Sequence, residues 1–258
     1  MEKYAVITGA SSGLGVDFSI ELAKLGYNLV IVARRENKLN ELKEKILNEI
    51  NKDLDIIVLP LDLSVTESCK KLTDFVNELD VEILINNAGF GNCEKFIYTP
   101  LSKELEMINV NITTLHILTK KFLAKMVNID SGFILNVSSS AGLTPAGPYM
   151  STYYATKSYV SSLTRGINYE LKEQHSNVYI GILCPGPVDT EFNKVANVKF
   201  GLNGITSSYC VKYTIKKMLK KKTVIIPTFK MKFAVVFGRF IPQKLLIKIL
   251  AKQQKKKM

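Results

Sequence analysis

Short apolar runs of strand length alternate with amphipathic stretches of helical period along most of the 258-residue chain. Residues 4–8 (YAVIT), 28–33 (NLVIVA), 55–60 (DIIVLP), 82–86 (EILIN), 132–137 (GFILNV), 178–183 (VYIGIL) and 223–227 (TVIIP) are almost continuously apolar. A strand with one solvated face alternates apolar and polar positions, whereas a run without alternation is covered on both faces, as in a parallel sheet. Between such runs, 36–51 places Leu39, Leu42, Ile46 and Ile50 on one face of a helical period. The alternation predicts repeated β-α-β units in a single domain of the α/β class. Its centre is a doubly wound, Rossmann-like parallel β-sheet of about seven strands with helices on both faces.

Ligands of such sheets bind beyond the carboxyl ends of the strands, so the residues that follow each run carry the chemistry. The first strand leads into TGASSGLG (8–15), with Gly9, Gly13 and Gly15 at the turn into a helix. Glycine permits a tight turn and lets a pyrophosphate approach the amide groups at the helix start, where the dipole favours an anion. Thr8, Gly9, Ser11, Ser12, Gly13, Leu14 and Gly15 are therefore candidate dinucleotide contacts. The second strand ends at Ala33 and is followed by Arg34 and Arg35. An acid there would bond the ribose 2′-hydroxyl of NAD, whereas a small residue followed by arginine admits and pairs with a 2′-phosphate, which favours NADP (NADPH). Asp62, with Leu63 after it, follows the third strand and could face the adenine; an aspartate in that position also fits an N-cap.

Composition narrows the chemistry. His116 and His175 are the only histidines and neither sits in a catalytic motif, so acid–base work falls to other side chains. Cys69, Cys93, Cys184 and Cys210 show no C-x-x-C or zinc spacing; they read as reduced thiols of a cytoplasmic protein, and no metal site is predicted. No apolar run is long enough to span a membrane, and the N-terminus shows no secretory leader.

STYYATKSY (151–159) offers three tyrosines and a lysine. Tyr153 and Lys157 are four apart and share a helix face; Tyr154 has Ser158 at that offset, and Tyr159 follows the lysine. Tyr153 is thus the candidate acid, and Tyr154 reads as a packed aromatic.

Taken in order, TGASSGLG, NNAG (86–89), INVNIT (108–113), NVSS (136–139), YYATK (153–157) and PGPVDT (185–190) resemble the short-chain dehydrogenase/reductase (SDR) family, over roughly residues 4–190. The resemblance implies an enzyme in which a tyrosine, Tyr153, protonates a substrate carbonyl oxygen while the nicotinamide delivers hydride. Free tyrosine titrates near pH ~10, and Lys157 with the oxidised nicotinamide would lower that value. It further implies a serine that orients the substrate oxygen and a relay asparagine, Asn111, with Asn109, or plain helix-surface polarity, as the alternative reading. Counting thirteen residues back from the tyrosine selects Ser140, while aligning from the strand end selects Ser139. The latter is preferred because the 143–148 loop can absorb an extra residue; Ser138 is expected to face elsewhere. Asn87, Ala88 and Gly89 would line the adenosine ribose, and Pro185, Gly186, Val188 and Thr190 the nicotinamide. The substrate is expected to be a partly hydrophobic small-molecule carbonyl or alcohol, and the assembly a homodimer or homotetramer.

Charge is concentrated at one end. Up to residue 191 there are 18 Lys and Arg against 23 Asp and Glu; residues 192–258 carry 17 cations and no acid. Residues 1–228 read as the dinucleotide-binding catalytic part, with 192–204 as a substrate lid, and 229–258 as a basic amphipathic extension of the same domain, split at Pro242. In 243–258, Leu245, Leu246, Ile249 and Leu250 are set against Lys244, Lys248 and Lys252. Such a helix suits either docking over the pocket or an anionic membrane surface; nucleic acid is disfavoured because no reading motif interleaves with the lysines. A non-catalytic dinucleotide-binding regulator, or a membrane-surface protein using the basic tail, is the alternative function.

Overall fold

The apolar runs become strands, and those at the centre of the sheet find cover on both faces. The computed structural model describes residues 3–192, 196, 198 and 204–256; most of the expected 192–204 lid lies outside them. In chain order the elements are β1 (Tyr4–Thr8), α1 (Gly13–Lys24), β2 (Asn28–Ala33), α2 (Glu36–Glu49), β3 (Ile56–Pro60), α3 (Thr66–Phe75) and β4 (Val81–Asn86). Then come α4 (Leu101–Ile108), α5 (Leu115–Asn128), β5 (Phe133–Val137), α6 (Ser151–Glu173), β6 (Tyr179–Leu183), β7 (Val188–Asp189) and β8 (Ile205–Thr206). The described chain ends with α7 (Ser207–Met218), β9 (Val224–Ile225), α8 (Phe229–Gly238) and α9 (Gln243–Lys255). Seven strands form one sheet in the order β3-β2-β1-β4-β5-β6-β9, with every neighbouring pair parallel.

Within the continuous apolar runs the two-residue period of a strand sorts side chains to opposite layers. Ala5, Ile7, Leu29, Ile31, Ile83, Ile85 and Leu135 meet Phe18 and Leu22 of α1, Leu39 and Ile46 of α2, and Met218 of α7. Val6, Val30, Val32, Leu84 and Ile134 meet Leu72 of α3, Phe122 and Met126 of α5 and Leu171 of α6. The edge strand β3 is only partly covered and ends at an exposed Pro60, where a missing N–H costs no ladder bond. The opposite edge is shorter than its apolar run suggests: β9 pairs with β6 only at Val224 and Ile225.

Polar ties fix the carboxyl ends of the central strands. Asn86 Nδ2 donates to Asn136 Oδ1 (2.9 Å) and Thr119 Oγ1 (3.1 Å), and Asn136 Nδ2 donates to Thr164 Oγ1 (2.9 Å). Thr8 Oγ1 accepts the backbone N–H groups of Asn87 and Ala88, each at 3.0 Å, while Asn87 Nδ2 returns to Thr8 O at 2.9 Å. These bonds hold the loops after β1 and β4 together above the sheet. Helices α4 and α5 are joined by a π-helical turn over Asn109–Thr114, a register change that places the wholly buried Asn111 beneath those loops.

Gly15 packs α1 against the first loop: a Cβ there would lie 2.2 Å from Gly9 O. Gly15→Ala therefore forces the helix off the loop. Equilibrium denaturation should show a loss of about 1–3 kcal/mol, the usual cost of overpacking.

Candidate active site

The cofactor end begins at the glycine loop. Gly9 (φ +68°) and Gly13 (φ +54°) occupy backbone conformations that other residues adopt only under strain. Side chains at Gly9 and Gly89 would also be obstructed: a Cβ on Gly9 would sit 2.9 Å from Ala88 Cα, and one on Gly89 2.9 Å from Asn111 Oδ1. The bare backbone leaves a cavity of about 490 Å³, lined by Gly9, Ser11, Ser12, Gly13, Leu14, Arg34, Arg35, Asp62, Leu63, Asn87, Ala88 and Gly89. It continues to Ser139, Tyr153, Lys157, Pro185, Gly186, Val188 and Thr190. An elongated dinucleotide fits this cradle: backbone amides lie at one end, arginines at its side and a tyrosine–serine pair at the other end. Thr8, Gly15 and Asn111 lie behind the wall and shape it rather than line it.

Both arginines are engaged. Arg35 donates to Ser11 Oγ (3.2 Å) and to Glu191 (3.1 Å), while Arg34 pairs with Glu106 at 3.2 Å. Glu106 and Glu191 also line the cavity and set acids against both cations, a counter-charge that the sequence motifs do not signal. Asp62 accepts the Ser64 N–H (2.9 Å) in a local turn, and helix α3 starts four residues later at Thr66, so Asp62 is not its N-cap. Partial burial works against ionisation of Asp62, but the Ser64 bonds and nearby Arg34 together hold its carboxyl below the usual range.

At the other end, helix α6 delivers Tyr153 and Lys157 as neighbours on one buried face. Ser139 adopts extended backbone and accepts the Ala141 N–H (3.1 Å), and its hydroxyl hydrogen-bonds the Tyr153 hydroxyl. Ser138 turns the other way, to Lys157 O (2.9 Å) and Ser161 Oγ (2.8 Å). Ser140 lines the cavity while its N–H donates to Pro185 O at 2.8 Å. Asn111 Oδ1 accepts the Phe90 N–H (3.1 Å), and its Nδ2 donates to Phe90 O (2.9 Å) and Thr156 Oγ1 (3.0 Å). Asn109, two residues earlier, is exposed.

Burial governs the protons here. Desolvation pushes Tyr153 up to about 12, against the lowering effect of the Ser139 bond. The phenol therefore keeps its proton at neutral pH, as a donor to a carbonyl oxygen requires. Desolvation likewise pushes Lys157 down to about 8. Its Nζ donates to Val137 O (2.9 Å) and lies 5.9 Å from the Tyr153 ring centre. The expected lowering of the tyrosine by the lysine is thus outweighed in this state, because both groups are removed from water and the ammonium is turned to a backbone carbonyl.

Tyr154 is more than a packed aromatic. It lines the cavity, and its hydroxyl accepts Gln254 Nε2 at 2.5 Å, so the C-terminal helix α9 forms part of the wall. Met150, Phe192 and Val198 give this end an apolar lining, with Phe192 tilted 5.6 Å from the Tyr153 ring. Gln254 lies one hundred residues from its partner, and no spacing rule reaches that far.

A family model described as short chain dehydrogenase matches residues 3–201. The human dehydrogenase/reductase SDR family member 7 is 33% identical over 225 residues, covering 82% of this chain and 66% of the relative. A zebrafish (Danio rerio) very-long-chain 3-oxoacyl-CoA reductase-B is 30% identical over 197 residues, with 75% of this chain and 62% of the relative covered. The chain thus spans less than two thirds of that relative's length. Among solved structures, a short-chain dehydrogenase from Sphingobium yanoikuyae in complex with NADPH superposes with a TM-score of 0.83 at 27% identity, covering 95% of each chain.

Lysine burial has a measurable cost. A folded-state value near 8, below the ~10.4 of an unfolded chain, destabilises the fold wherever the unfolded lysine would be charged; the cost is full below pH 8 and disappears above ~10.4. Relative to the wild type, Lys157→Met should therefore be more favourable at pH 7 than at pH 10 by on the order of 3 kcal/mol, even if losing the Val137 bond adds a constant penalty. Denaturant midpoints across that pH range check the slope.

Proposed function

The chain belongs to the short-chain dehydrogenase family, and on that premise we propose that it is an NADP(H)-dependent oxidoreductase acting on a carbonyl or secondary alcohol of a partly hydrophobic substrate. The observation that carries this reading is the buried Tyr153 hydroxyl bonded to Ser139 at the apolar end of the cavity, with Lys157 beside it. The nicotinamide dinucleotide, when bound, supplies or accepts the hydride. Ser139 holds the substrate oxygen next to Tyr153, which gives up its proton as negative charge develops on that oxygen. Lys157 stabilises the phenolate left behind, and its value near 8 keeps a proton available close to neutral pH. Asn111 fixes the Phe90 backbone to α6 through Thr156, and so holds the floor on which the proton relay runs.

The glycine loop, Asn87, Ala88 and Gly89 would hold the pyrophosphate and ribose, with Pro185, Gly186, Val188 and Thr190 at the nicotinamide. Arg35 and Ser11 form the anion-binding pair for a 2′-phosphate, with Arg34 adjoining; NADPH bound to the Sphingobium relative supports this choice. The apolar wall of Met150, Phe192 and Val198, together with the zebrafish relative's named 3-oxoacyl substrate, supports a ketone attached to a sizeable apolar group. Exposed Phe96, Ile97, Tyr98, Leu101 and Leu105, clustered before and along α4, support assembly as a homodimer or homotetramer.

In a carbonyl panel followed by NADPH absorbance, Tyr153→Phe should keep NADPH binding and lose at least about 100-fold in turnover, the usual scale of general acid catalysis. Ser139→Ala should fall steeply with it and Ser140→Ala should not; the reverse order would move the role to Ser140. Arg35→Ala should weaken NADPH binding about 10-fold or more while leaving NADH binding unchanged, since a charge-assisted bond to the phosphate is lost. Equal losses for both dinucleotides would overturn the NADP assignment.

A further inference from the structure

The two C-terminal helices each turn some residues to the protein and others to solvent. On the inner side, Val235 is buried, and Met231 lies so close to Gly186 that a Cβ there would be 2.6 Å from its Cε. Leu246, Leu250 and Gln254 follow at four-residue steps; Leu246 packs under Gly238, and Gln254 reaches Tyr154 in the pocket wall. Each helix is therefore seated on the protein, the first through Met231 and the second through Gln254. The expected single apolar face of α9 is divided instead: Leu246 and Leu250 turn inward, while Leu245 and Ile249 point outward among Lys244, Lys248 and Lys252.

The outer side is unusual for a surface. Phe229, Phe233 and Phe237 run along α8 at four-residue steps, with the last two rings stacked at 3.9 Å, and Phe240 follows at the turn. Phe229 and Phe240 are each 81% exposed, and Phe233, Phe237, Leu245 and Ile249 about half exposed. Lys230, Lys232, Arg239, Lys244 and Lys248 are all exposed around them, and residues 229–258 contain no acid. Among the described residues, no ion pair uses a cation beyond residue 192.

We propose that this outer face of α8–α9 docks on an anionic lipid surface, with the mouth of the Tyr153 pocket held at the interface. The occupant must offer hydrocarbon to the phenylalanine ridge and negative charge to the surrounding lysines, and a bilayer surface containing anionic lipid offers both. A second copy of the chain meeting the same patch would set cation against cation with no local acid to relieve it. Spanning is ruled out for these helices: neither is long and apolar enough to cross a bilayer. Seated this way, the two helices also give a lipophilic carbonyl compound a route from the bilayer to the pocket; that consequence alone rests on the reductase reading.

The test is cosedimentation of the full chain with phosphatidylcholine vesicles with and without phosphatidylglycerol, with NADPH binding measured on the same samples by fluorescence. The wild type should bind the anionic vesicles about 10-fold or more better than neutral ones. The exposed pair Phe237→Ser/Phe240→Ser, and separately Lys244→Gln/Lys248→Gln, should each reduce binding several-fold without altering NADPH binding. Absence of vesicle binding overturns the proposal. So does binding that the phenylalanine pair does not affect, which would be charge adsorption alone, or self-association abolished by that pair without any lipid binding. Loss of NADPH binding in the wild type would instead sink the oxidoreductase reading and leave the docking result standing.

Discussion

Thr8 accepts two backbone N–H groups from the loop after β4, and Asn87 returns a bond to Thr8 O. This short clamp joins the ends of two strands that are 79 residues apart in the chain. Parallel strands cannot be linked by tight turns, so their carboxyl ends converge only through the packing of the intervening helices. A polar tie is then needed to fix the loops that leave those ends to within hydrogen-bond tolerance. The glycine loop, the Asn87–Gly89 turn and the buried Asn111 are all referred to that clamp, and the cavity forms in the space they leave.

The same packing that builds the cavity sets its electrostatics. Covering both sheet faces excludes water from the α6–β5 junction, where Tyr153 and Lys157 sit. Each is driven toward its neutral form, the tyrosine upward and the lysine downward. A lysine held there works against folding, which is the usual trade between stability and a prepared site. Val137 O accepts from the ammonium and limits the cost, whereas Cys184, whose thiol burial pushes up to about 12, stays neutral beside it and supplies no counter-charge.

Much of the architecture is legible in the sequence. Unbroken apolar runs announced strands covered on both faces, and the Leu39–Ile46 face of α2 packs as its period implies. Pro242 separates two helices because it cannot supply the N–H that would continue the first. The strand at 223–227 shrank to two paired residues, Val224 and Ile225 against Ile182 and Leu183. At the site, helical period alone brought Tyr153 and Lys157 to one face. Spacing left the choice between Ser139 and Ser140 open, since it depends on the backbone path out of β5, where Ser139 is extended and the chain then tightens into a turn.

Local order along the chain determined the periods, the glycine turns, the Y-x-x-x-K face and the concentration of cations at the C-terminus, because each depends only on residues a few positions apart. Tertiary structure decided everything that joins distant residues. It set Glu106 and Glu191 against the arginines, brought Gln254 to Tyr154, split the apolar face of α9 and left a phenylalanine ridge in solvent. Periodicity can show that a helix has an apolar face, but only the packed chain shows which part of that face finds a partner.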